Sequence, residues 1–242
     1  MHRLVLGFSL LLNIWLVTYM LLAPHSEGAS NPAPPAAQPT PTATPQPAPP
    51  PTQGAGGYNL IWPSEDFAHA NWGPLENASV EPNSDVAPDG TRTATRLVEL
   101  AASGRHRIEG KAGGLQPGAP YVLSLYVKPA PRTGVMLEMR DEQQHRYGTV
   151  RFDLEAQRIA LKSGDATNAG IDAAPNGWVR CWAMMPYEAN NAYYSFAVLG
   201  PPDLAPAYAG DGKSGILIWG AQLDPAGPLA YAATTEGPAL PH

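Results

Sequence analysis

The sequence predicts an all-β fold, an antiparallel two-sheet jelly-roll sandwich, preceded by one membrane-spanning helix and a proline-rich linker. Three observations predict the sandwich. From residue 58 onward, short runs alternate apolar and polar side chains with a period of two. Glycine and proline cluster between those runs, where chain reversals need them. No stretch of this region carries a helical period, and many short strands with frequent turns pack best as two sheets. Residues 58–242 are enough for one domain with a substantial core.

Residues 4–23, LVLGFSLLLNIWLVTYMLLA, carry no charge and are long enough to cross a bilayer as a helix. A cleaved signal peptide is the rival reading, with a cut after Ser30 and Gly28 in the matching small position. Its apolar core is usually about 7–15 residues, so the longer run favours a retained anchor over residues 1–23. Arg3 precedes the run and no Lys or Arg follows until Arg92, which keeps the N-terminus cytoplasmic. The domain then lies on the periplasmic side of a bacterial inner membrane. Asn13 sits near mid-helix, where an amide is costly without a partner. With Trp15 and Tyr19 on nearby turns, it marks a face for another membrane helix; the alternative is a bond to its own backbone.

Residues 24–57 are rich in Pro, Ala, Thr and Gln and hold one acidic side chain, Glu27. Such a composition buries no core and favours extended polyproline II, reaching on the order of 100 Å at full stretch. It serves as a spacer, or as a strap along a partner, and ends in the flexible GAGG of 54–57.

The strands follow in order. In 121–128, Tyr121, Leu123, Leu125 and Val127 share one face, and Val122, Ser124, Tyr126 and Lys128 the other. In 134–140, Val135, Leu137 and Met139 oppose Met136, Glu138 and Arg140. In 178–185, Val179, Cys181, Ala183 and Met185 oppose Trp178, Arg180, Trp182 and Met184. A further strand covers 193–199, YYSFAVL. At 208–224, the turn Gly210-Asp211-Gly212 opens onto Ile216, Leu217, Ile218 and Trp219, a buried strand that closes at Gln222 and Asp224.

That closing segment, together with NLIWPSEDF at 59–67, Trp72, APDGT at 87–91, YVLSLYVKP at 121–129, FDL at 152–154, GWVRC at 177–181 and LAYAATT at 229–235, resembles a family of jelly-roll domains of phage tail and fibre proteins. That family is related in fold to carbohydrate-binding modules. The pieces fall in the family's order across most of 58–236. The resemblance implies a protein that binds and displays rather than catalyses. It also implies a structural calcium between the first and last strands, for which Glu65, Asp66 and Asp224 are the candidate ligands. The closing strand departs from the pattern there, carrying Trp219, Gly220 and Ala221 where such modules have acidic residues. No other cofactor is expected.

Charge and chemistry narrow the function. The net charge of −6 and the lack of a basic stripe argue against nucleic-acid binding. The single Cys181, within a strand, reads as a buried, inert thiol. HExxH, GxSxG, CxxC and Walker motifs are absent from the sequence. Asp141, Glu142, His145, Arg146 and Tyr147 are the best catalytic cluster, suited to β-elimination of an acidic polysaccharide. Neighbours on an extended chain point to alternate faces, however, and a polar loop is the simpler reading.

For a glycan or partner face, Trp182 is the first candidate, with Arg180 beside it. Tyr126, Lys128, Glu138 and Arg140 line the same face if their strands are neighbours. Trp62, Trp178 and Trp219 read as core residues. Two functions emerge. The favoured one is a non-catalytic, membrane-anchored accessory or scaffold subunit whose sandwich docks on a larger integral membrane protein assembly. The alternative is a tethered lectin-like module that binds envelope or extracellular polysaccharide.

Overall fold

A computed structural model describes residues 57–141, 146–225, 227 and 230–240. The predicted anchor at 1–23, with Asn13, Trp15 and Tyr19, lies outside the described residues, as does the linker up to Gly56. Fourteen strands follow: β1 (Trp72–Glu76), β2 (Ala78–Asp85), β3 (Ala94–Glu99), β4 (Ser103–Gly104), β5 (His106–Gly113), β6 (Ala119–Pro129), β7 (Gly134–Arg140), β8 (Arg146–Asp153), β9 (Arg158–Gly164), β10 (Asn168–Ala173), β11 (Val179–Tyr187), β12 (Asn191–Leu199), β13 (Tyr208–Ala209) and β14 (Gly215–Pro225). The one helical turn among the described residues is the 3₁₀ turn Pro175–Gly177 before β11.

Two six-stranded antiparallel sheets form the body, in the orders β1-β5-β12-β7-β8-β9 and β10-β11-β6-β14-β3-β2. Apart from the short β4–β13 pair, the chain changes sheet after β1, β3, β5, β6, β9, β11 and β12. The central neighbours β5-β12-β7 and β11-β6-β14-β3 are therefore distant in sequence, as in a jelly roll. The alternation of the sequence explains why both sheets turn the same kind of face inward. Leu123, Leu125 and Val127 of β6 and Cys181, Ala183 and Met185 of β11 meet Leu137 and Met139 of β7 and Phe196 and Val198 of β12 in one buried cluster. Trp72 closes one side of it, its ring 4.7 Å from Phe67 and 5.6 Å from Tyr194. Cys181 is fully buried, and burial pushes its thiol far above the usual range.

β14 breaks the alternation. Its register against β6 shifts between Trp219 and Gln222, with Gly220 at φ +59°. This bulge lets Ile216 and Ile218 face inward before it and Ala221 and Leu223 after it. Trp219 points outward and joins Tyr126, Trp178, Leu217, Ala87, Ala94 and Tyr231 in a second, smaller cluster on the outer side of the second sheet. Trp178 and Trp219 are thus buried as expected, on that outer side. Trp62 is not: its flanking Ile61 is fully buried and it is 37% exposed.

The topology also corrects the grouping of Tyr126, Lys128, Glu138 and Arg140. β6 and β7 are consecutive in sequence but belong to different sheets. Their outward residues therefore lie on opposite sides of the sandwich, Tyr126 and Lys128 on the second sheet and Glu138 and Arg140 on the first.

Candidate functional site

The second sheet brings together the first half of the predicted face. In register, Arg180 lies opposite Tyr126 and Trp182 opposite Ser124 on β6, while Asp172 and Gly170 face them from β10. Arg180 donates to Ser124 Oγ at 2.8 Å and places its guanidinium 5.7 Å from the centre of the Tyr126 ring. Tyr126 is itself covered, with Trp219 at 5.4 Å and Tyr231 at 5.8 Å in edge-on contact. Burial pushes its phenol up, against the opposing pull of Arg180, so the hydroxyl stays neutral. Lys128 pairs with Asp85 at 3.0 Å.

Trp182 remains partly exposed at the edge of this face. Its indole rests across Gly170, where an added Cβ would stand 2.5 to 2.7 Å from three ring atoms. The indole nitrogen is one of those atoms; it is buried and has no hydrogen-bond partner among the described residues. The nitrogen side of the ring therefore faces the sheet, and what reaches solvent is hydrocarbon. Exposed Asn168 and Asp172 on β10 and half-buried Met184 on β11 surround it. Apolar ring surface bordered by hydrogen-bonding groups suits the C–H faces and hydroxyls of a sugar.

Glu138 and Arg140 belong to a different arrangement. On the outer face of the first sheet, Ser195 of β12 lies between Glu109 of β5 and Glu138 of β7. Arg107 bonds Glu76 at 2.6 Å, Glu109 at 2.7 Å and Glu138 at 3.2 Å. Arg105 reaches Glu138 at 3.3 Å, Arg140 pairs with Glu109, and Tyr193 lies under Lys111 and Arg140. The alternation of His106-Arg107-Ile108-Glu109-Gly110-Lys111 already points these charges to one face. The register that pairs them needs the fold. Of the proposed catalytic cluster, Glu142 and His145 lie outside the described residues, and Asp141 is buried just after β7.

The three calcium candidates do not form a cluster of ligands. Glu65 accepts from Tyr231 Oη at 3.0 Å. Asp66 accepts the Ala68 amide in a turn, and Asp224 accepts from the Gln222 side chain at 2.7 Å. The opening segment and the closing strand are joined instead by the fully buried Asn59. Its amide donates to the carbonyls of Ala221 and Ala232, and its oxygen accepts from the amides of Ile61 and Leu223.

Glu65 and Asp66 open onto a cleft of about 750 Å³ that the sequence did not reveal. Pro63, His69, Asn83, Thr93, Thr95, Thr234 and Thr235 also line it. Trp62 stands close by, its ring 6.5 Å from that of His69. No alternation marks it in the sequence, since Asn59, Leu60 and Ile61 are buried in succession before Trp62 turns outward.

No protein-family model matches the chain, and no curated protein matches it. Solved structures do. Over 70% of its length the chain is similar to the enzymatically active domain of bacteriophage CBA120 tailspike protein 4, at 14% identity and a TM-score of 0.44. Over 70% it is similar to the module TmCBM61, solved in complex with beta-1,4-galactotriose, at 12% identity and a TM-score of 0.43. Over 73% it is similar to the CBM22-1–GH10 modules of Clostridium thermocellum endo-1,4-beta-D-xylanase 10B, complexed with xylohexaose, at 13% and 0.40. The chain spans 22% of the tailspike domain, 30% of the xylanase modules and 100% of TmCBM61.

Proposed function

We propose that the folded domain is a non-catalytic, lectin-like module that binds polysaccharide, tethered to the membrane by residues 1–23. The carrying observation is Trp182, an indole seated on Gly170 that offers hydrocarbon to solvent beside Asn168, Asp172 and Arg180. Such a ring gains by covering a sugar face, while the bordering polar groups select hydroxyl positions. The sequence resemblance to binding and display domains supports the same reading.

A glycan array probed with the full-length chain in detergent tests it, followed by titration calorimetry on any saccharide bound. Trp182→Ala is expected to weaken binding about ten-fold or more. Gly170→Ala, which drives a methyl into the indole, is expected to weaken it too while keeping the ring. An array with no saccharide bound, or unchanged binding by both variants, overturns the proposal.

A second reading rests on residues 4–23. The uncharged run with Asn13 near its middle favours an anchor that packs against other membrane helices, making the protein an accessory subunit of a periplasmic-facing membrane assembly. Mild-detergent purification from native membranes tests this reading. Stoichiometric integral membrane partners that are lost in Asn13→Leu support it, and a solitary protein overturns it.

A further inference from the structure

The cleft beside Glu65 is separate from the Trp182 face: none of its lining residues comes from β10 or β11. Its volume of about 750 Å³ falls within the usual range for small-ligand sites, about 300–1,000 Å³. Four threonines, Asn83 and His69 supply hydroxyl, amide and imidazole groups around it. Trp62, 37% exposed and close to His69, supplies apolar surface near its edge. A sugar ring calls for the same combination.

The charge of the cleft selects among sugars. Glu65 and Asp66 line it, and among the described residues no Lys or Arg does. Neither carboxylate forms an ion pair with a described residue. Glu65 is nonetheless held in place. Tyr231, only 1% exposed, donates its hydroxyl to one carboxylate oxygen, while Ser64 Oγ lies 2.7 Å from that hydroxyl and accepts the Thr234 amide. Burial raises the Glu65 carboxyl above its ordinary range; the Tyr231 hydrogen bond opposes the rise, and the Asp89 charge adds to it. The carboxylate thus sits partly desolvated without a cation, and a ligand cation would stabilise it.

We propose that this cleft binds an amino-sugar residue of a polysaccharide, its ammonium group against Glu65 and Asp66 and its hydroxyls among Thr93, Thr95, Thr234 and Thr235. The inference rests on the saccharide-binding reading above and assigns a second place on the domain and a chemical class. A uronate or sulfated sugar is excluded from this cleft by the same two carboxylates.

The test is titration calorimetry of the full-length chain with three trisaccharides: β-1,4-glucosamine trimer, its fully N-acetylated form and the neutral cellotriose. The deacetylated trimer is expected to bind at least ten-fold more tightly than the other two. Glu65→Gln is expected to abolish that preference, and Trp182→Ala to leave it intact. Thermal melts of both variants confirm that they fold. Equal binding of the three sugars, or a preference that survives Glu65→Gln, overturns the inference while the saccharide reading stands. A preference lost in Trp182→Ala moves the amine to the sheet face and overturns it as well. No binding of these trimers overturns it too; the glycan array then decides the broader reading separately.

Discussion

Single side chains hold the two ends of this domain together. Asn59 satisfies four backbone groups at once, tying the opening segment to β14 and to the C-terminal segment at Ala232. Asn59→Ala strands two carbonyls and two amides in the interior. Each lost partner costs about 1–3 kcal/mol when burial is complete, so a loss of about 3 kcal/mol or more in urea unfolding is expected. A change below 1 kcal/mol would show that water fills the gap. Glu65 runs the other way. Its carboxyl is raised in the fold, so its neutral form favours folding. That contribution is fully present below its ordinary value of 4.5 and is lost as pH rises through the raised one. Asp66, His69, Asp89 and Tyr231 surround it and remain in the variant. Glu65→Gln is therefore expected to melt at or above the wild type at pH 7, with the gap closing toward pH 4. A variant that melts lower at pH 7 would mean that the carboxylate stabilises the fold. Legibility at this scale was uneven. The outward direction of Trp182 and Arg180 follows from period two alone. The covering of Tyr126 does not, because Tyr231 arrives from about a hundred residues away.

Connections between strands depend on a second device. Glu99, at the end of β3 and fully buried, accepts two hydrogen bonds from Arg132, at 2.8 and 2.6 Å. It also accepts one from Tyr208 Oη at 2.5 Å and one from the Asp211 amide at 2.9 Å. One carboxylate thus pins the β6–β7 connection, β13 and the Gly210-Asp211-Gly212 turn to β3. Burial raises its pKa most, but the hydrogen bonds from Arg132, Tyr208 and Asp211 together outweigh it and the net shift is downward. A lowered carboxyl stabilises above its ordinary value of 4.5 and loses that contribution as pH falls through the lower, folded value. Glu99→Ala is expected to cost about 3 kcal/mol at pH 7, since it removes both short hydrogen bonds of half-buried Arg132 and leaves it only Asp211 at 3.7 Å. The deficit should shrink in acid-denaturation curves below pH 4, where the wild type loses the same interaction. A constant deficit at all pH values would assign the loss to packing. The turn itself was readable as Gly-Asp-Gly before a β-branched run. The bulge of β14 left only Gly220 as a hint, since one glycine in a strand fits a bulge or a close approach equally.

Across the whole molecule, the assignment of strands to sheets is what sequence could not supply. Period two gives each strand an inside and an outside, and every strand read that way is present. It does not say which outsides coincide. β3 pairs with β14 across more than a hundred residues, and β6 and β7 part company after four. The first sheet shows what such long-range pairing achieves. Arg107 of β5 spans Glu76 on β1, Glu109 on its own strand and Glu138 on β7, two strands away. Its planar fork presents five donors, and no compact ammonium on the Lys stem can meet three carboxylates in those directions. Arg107→Lys is therefore expected to cost about 1–2 kcal/mol although the charge is kept. Arg107→Met is expected to cost about 3 kcal/mol, because it leaves three carboxylates sharing fewer cations. Equal unfolding free energies for wild type and Arg107→Lys would mean that charge alone matters on this face. An ordered loss, Lys smaller than Met, would show that the guanidinium holds β1, β5 and β7 in register.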